Sequence, residues 1–151
     1  MKKLALLGNI VLATALTMGI VSAQDSVKTG AISKGTGTVV AEYSNDHNGV
    51  DLLYDAGTKM TSPMDGYVAA MTCSGDTCYV VISNDEVGDS IVFLNLKSIT
   101  VETGTRVKVG DVVGVVGDDP VHFGYYPHGL KDGETVNPLG FLKLNGSKIK
   151  F

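Results

Sequence analysis

The stretch Val101-Glu102-Thr103-Gly104-Thr105-Arg106-Val107-Lys108-Val109-Gly110-Asp111-Val112-Val113-Gly114-Val115-Val116-Gly117 decides the fold. Glycines recur among β-branched residues at intervals too short for a helix, so the segment reads as short strands that turn sharp corners. Outward from it, the same grammar continues. Residues 39–43, 66–73, 78–83, 90–96, 106–109, 112–116 and 121–126 are short β-rich runs bounded by Gly, Asn and Asp, the pattern of an all-β domain. No stretch beyond the N-terminal region carries convincing helical periodicity.

The two ends read differently from this middle. Met1-Lys2-Lys3 precedes an apolar run from Leu4 to Ile20, then Val21-Ser22-Ala23 and Gln24-Asp25. A basic start, a short apolar stretch and small residues before the break describe a signal peptide over residues 1–23. A membrane anchor is the alternative, but Asn9 and several Thr and Gly interrupt the run and no basic stop-transfer flank follows. The expectation is therefore an exported protein, periplasmic or extracellular, with no stable membrane insertion after cleavage. Residues 24–37 are polar and Gly-punctuated and read as a flexible leader or partial edge segment, residues 38–142 as one domain, and the basic residues 143–151 as a peripheral tail.

Charge narrows the partners. The signal peptide holds two of the twelve basic residues and no acidic ones, so the remaining chain sets ten basic against sixteen acidic residues, a formal charge of −6. That balance disfavours nucleic acid as a ligand. The two cysteines, Cys73 and Cys78, enclose Ser-Gly-Asp-Thr between strand-like runs; in an oxidising compartment they are expected to staple a hairpin, worth about 2 kcal/mol for so short a loop. A redox or metal-binding pair is the other reading. The glycine-punctuated strands also suit a biotinyl or lipoyl carrier, but no lysine stands in the required Met-Lys-Met setting.

The residues with metal chemistry are His47, Asp51 and His122. Four residues apart on a straight strand, His47 and Asp51 would lie about 13 Å from each other. A bend at Gly49 would let both converge, and His122 on a later strand can supply a third donor. Three protein donors with an open fourth position is the arrangement of catalytic zinc, whereas structural zinc is closed by four.

From about Thr38 to Leu142 the chain resembles the LytM/lysostaphin-type zinc metallopeptidases, which cut peptide cross-links of bacterial peptidoglycan. His47-x-Gly49-x-Asp51 matches their first motif. Residues 57–68 resemble the following Gly-Thr-Pro-Val-x-Ala-Pro-x-Asp-Gly-x-Val stretch, and residues 90–99 with 101–117 the glycine-punctuated passage. Val121-His122-Phe123 matches the end of His-Leu-His-Phe, and Val136-Asn137-Pro138 the closing Asp/Asn-Pro. The resemblance implies a compact antiparallel β-sandwich or barrel-like domain of the duplicated hybrid motif type. It also implies zinc held by His47, Asp51 and His122.

Two departures bear on activity. Where the family carries a histidine in a Tyr-x-His-Leu strand, this chain reads Phe93-Leu94-Asn95-Leu96; where it carries the first histidine of His-Leu-His, this chain has Pro120. Asn95 can donate a hydrogen bond but takes no proton near neutral pH, and Pro120 does neither. The loop before the second position is reduced to Asp118-Asp119. These two carboxylates are the nearest candidates for a substitute base. No catalytic residue is assigned. The expectation is a degenerate, zinc-binding domain that binds peptidoglycan or regulates a cell-wall hydrolase, with a zinc metalloendopeptidase as the alternative. His128, beyond the last strand, is expected at the surface.

Overall fold

The computed structural model describes residues 27–151, so the expected signal peptide lies outside the described residues. Ten strands and one short helix follow in order: β1 (Thr36–Ala41), β2 (Val50–Leu53), β3 (Lys59–Thr61), β4 (Gly66–Ser74), β5 (Thr77–Ser83), β6 (Ser90–Ile99), β7 (Arg106–Val107), β8 (Val112–Val116), β9 (Val121–Tyr126), α1 (Leu139–Leu144) and β10 (Lys148–Lys150). The fold is all-β in character, as expected, and its sheet is not closed into a barrel. Along the main path the strand order is β10-β1-β2-β9-β6-β5-β4-β7, with β8 joining β6 and carrying β3 on its other side. Every pairing is antiparallel except β1 with β10.

Strand β6 organises the domain because it changes partners. Residues 90–94 pair with β9, the last pair being Leu94↔His122, whereas residues 96–99 pair with β8. Asn95 sits at the change with φ of 65°, a left-handed conformation that asparagine tolerates better than most residues. One residue with this geometry inserts a bulge and lets a single strand belong to two ladders.

The core lies against the inner faces of these strands. Phe93 and Phe123 are fully buried and pack at 5.3 Å between ring centroids. Phe123 continues to Phe141 at 6.2 Å, and Phe141 stacks on Tyr125 at 4.7 Å. Helix α1 thereby closes one end of the core, with Leu142 fully buried beneath it. Helical periodicity is not legible here because six residues span less than two turns. Among the described residues no helix is long and apolar enough to cross a membrane.

Both flanking segments make contacts with the sheet. Residues 27–35 run along it as an edge segment: Thr29 bridges Met64, Ser33 bridges Met60, and Ile32 is fully buried. With only Val27 and Ala31 as apolar company, Ile32 sets up no periodicity, so the sequence hid this anchor. The tail also contributes, since β10 extends the sheet and Ser147 Oγ accepts from the Ile32 amide at 3.1 Å. Ile32→Ala is expected to cost about 2–5 kcal/mol in urea unfolding. A loss below about 0.5 kcal/mol, typical of surface sites, would favour the flexible leader over the edge segment.

Candidate metal centre

Asp51 and His122 meet because the sheet register places them opposite each other. Strand β2 pairs with β9 through Val50↔Phe123, Asp51↔His122 and Leu52↔Val121. Val50, Leu52, Val121 and Phe123 are buried, so alternation turns Asp51 and His122 to the outer face. There His122 Nδ1 lies 2.8 Å from Asp51 Oδ1.

His47 reaches the same carboxylate from outside the ladder. A turn closed by reciprocal bonds between Ser44 and His47, 3.1 and 3.2 Å long, folds the chain back after β1. The Gly49 amide then donates to the His47 carbonyl at 2.9 Å, bending the path into β2. As a result His47 Nε2 stands 3.1 Å from Asp51 Oδ1, and the two imidazoles lie edge to face at 5.0 Å. One donor atom from each of the three residues lies within 4.8 Å of the others. Their side chains keep 16–30% of their surface, which leaves an approach from solvent.

His47 Nδ1 donates to the Glu42 carbonyl at 2.7 Å, which places the neutral ring's proton on that nitrogen. In that tautomer Nε2 turns its lone pair toward Asp51 Oδ1, so both atoms can serve as ligands to one ion. A divalent cation satisfies both at once, and a backbone carbonyl orienting a ligating histidine is the usual outer support of such an ion. Two imidazoles and one carboxylate suit zinc, with a fourth position left open. The Glu42 carbonyl was invisible to sequence reasoning, since a backbone group carries no residue signature.

Gly49 is required for space, not for a left-handed backbone. A Cβ there would stand 2.4 Å from the Phe123 carbonyl oxygen and 2.6 Å from His122 Nε2. The carbonyl belongs to β9 and cannot retreat without opening the ladder. Gly49→Ala is therefore expected to cost about 1–3 kcal/mol and to displace His122 enough to weaken metal binding, both measurable by calorimetry. Unchanged affinity would show that the imidazole swings aside freely.

Asn95 and Pro120 both lie just past the last β6–β9 pair, Leu94↔His122. They flank the same end of the site. Asn95 is exposed and lines a cavity of about 410 Å³ together with Asp76, Lys97, Gly117, Asp118 and Asp119. Asp118 and Asp119 are thus beside Asn95, while the bonds of Asp51 go to the two imidazoles. His128 is exposed, in a separate hollow with Tyr67, Ser83 and Ser90. Tyr125 donates to Asp89 at 2.7 Å; burial, then this bond, holds its hydroxyl proton well above the ordinary phenol range. It is a packing residue. Cys73 and Cys78 form the expected disulfide, across a directly opposed pair of β4 and β5.

The fold is shared with solved structures. The structure of the antimicrobial peptidase lysostaphin from Staphylococcus simulans is similar, with 21% identity and a TM-score of 0.63 over 81% of this chain and 56% of that one. Csd3 of Helicobacter pylori shows 25% identity and a TM-score of 0.61 over 75% of this chain and 33% of that one. A chain in the SpoIIIAH and SpoIIQ complex shows 20% identity and a TM-score of 0.62, over 77% of this chain and 99% of that one. This chain thus spans about half of the lysostaphin chain and a third of Csd3. No curated protein sequence matches. The sequence profile of Peptidase family M23 matches residues 45–138, from the His47 turn to Pro138, and the chain belongs to that family.

Proposed function

We propose that this chain is an exported domain that binds zinc through His47, Asp51 and His122, is impaired as a peptidase, and binds peptidoglycan or regulates a cell-wall hydrolase. Family M23 comprises zinc metallopeptidases. The observation that carries the reading is the contrast across Leu94↔His122. On one side stand three converging donors; on the other lie Asn95 and Pro120, at the positions where the resemblance to the family would have its proton-handling histidines. Zinc supplies Lewis acidity and lowers the pKa of a bound water toward 7. Losing a positioned acid or base commonly costs 10²–10⁴-fold, roughly, in rate.

A second reading, a zinc metalloendopeptidase acting on cross-link peptides, is favoured by the open fourth position and the solvent-facing donors. The neighbours include both peptidases and a protein–protein complex, which supports either a wall ligand or a protein partner. Peptide release from purified peptidoglycan by the zinc-loaded protein separates the readings. Release is expected at least about a hundredfold below an active relative at equal zinc content. Comparable release, abolished by His122→Ala, would establish the peptidase instead.

A further inference from the structure

The far end of the β4–β5 hairpin is held from one side only. Strand β4 gains β7 as an outer neighbour at Gly66 and Tyr67, and Val68 bonds to residues 104 and 105, but beyond that its outer edge meets no strand among the described residues. On the inner side, β5 touches β6 past a bulge through the single pair Cys78↔Leu96. Residues 72–77 are all exposed, so no buried apolar side chain anchors them. Beyond the hairpin's own ladder, the Cys73–Cys78 bond is what fixes the tip.

The tip has a position worth fixing. Asp76 forms part of the wall of the cavity that also takes in Asn95, Lys97 and Asp118. The two cysteines differ in setting: Cys73 is exposed, whereas Cys78 is 2% exposed, belongs to the core and has its Sγ 3.7 Å from the Lys97 carbonyl oxygen. One sulfur is open to attack and the other has a seat to keep.

We propose that Cys73–Cys78 is a redox latch whose reduction frees the hairpin tip and withdraws Asp76 from the wall of the cavity beside Asn95. The reductant is an external dithiol. Its thiolate attacks Cys73 Sγ, the S–S bond breaks, and Cys78 leaves as a thiolate that takes up a proton. The second thiol then attacks the mixed disulfide, releasing Cys73 as a thiol and leaving the reductant as a disulfide. Cys78 stays in its apolar seat, where the Lys97 carbonyl can accept its S–H. The latch rests on hairpin and cavity geometry alone and stands whether or not zinc is held.

Hydrogen exchange tests it on the exported protein in three forms: oxidised, reduced with dithiothreitol, and Cys73→Ser without reductant. The third form guards against chelation of metal by the dithiol. Amides of residues 72–79 and those lining the cavity at 95–98 and 115–119 are expected to exchange about tenfold faster or more in the second and third forms, with β2 and β9 unchanged. Equal exchange in all three forms overturns the latch. Acceleration spread through β2 and β9 overturns it too, since the bond would then be a general staple. Brief alkylation of the reduced protein should label Cys73 about tenfold faster than Cys78; equal labelling would refute the seated Cys78.

Discussion

Asp51→Ala is expected to abolish stoichiometric zinc binding and with it most of the thermal stability that zinc confers. Asp51 Oδ1 is the shared partner of both imidazoles, 3.1 Å from His47 Nε2 and 2.8 Å from His122 Nδ1. Removing it leaves two neutral donors and deletes the only negative charge in the set. Loss of outer-shell support alone weakens metal sites about 10–100-fold, and loss of a direct ligand exceeds that. A ligand at a thousandfold excess over its Kd stabilises the native state by about 4 kcal/mol. For a domain of this size that is on the order of 10 °C or more in Tm. The unsubstituted protein should show this rise on adding zinc, and Asp51→Ala should not. Without metal the two proteins should melt close together, because Asp51 is only partly buried. A full zinc-dependent rise in the variant would move the metal elsewhere.

How far the sequence could carry this site depends on which forces built it. The cluster was legible because ligand chemistry is written in residue types: two histidines and one aspartate, brought into one motif order. The register that faces Asp51 to His122 follows from plain alternation, with buried Val50, Leu52, Val121 and Phe123 on either side. The expected runs 66–73, 78–83, 112–116 and 121–126 match β4, β5, β8 and β9 to within one residue for the same reason. What escaped was held by contacts with no local pattern. Strands β2, β3 and β10 are three or four residues long, too short for alternation to speak. Ile32 is the one fully buried apolar side chain in a mostly polar segment, and α1 is under two turns. The bend at Gly49 was expected as a hinge, yet the glycine is there because His122 and the Phe123 carbonyl leave no room for a Cβ.

Asn95→His combined with Pro120→His is expected to raise zinc-dependent peptide release at least about a hundredfold while leaving zinc content unchanged. Position 95 has φ of 65°, and histidine, like asparagine, is among the residues that enter this region most readily. Position 120 precedes β9 by one residue, so replacing the proline disturbs no ladder bond. Two residues from His122, its side chain falls on the metal face of the strand. Each single substitution should gain less than its share, because groups that act as a unit recover activity only together. The unsubstituted protein, carrying the same zinc, supplies the baseline. A double variant that holds one zinc and remains inert would acquit Asn95 and Pro120. The fault would then lie in the short Asp118-Asp119 turn along the cavity, where a longer loop would wall in a substrate.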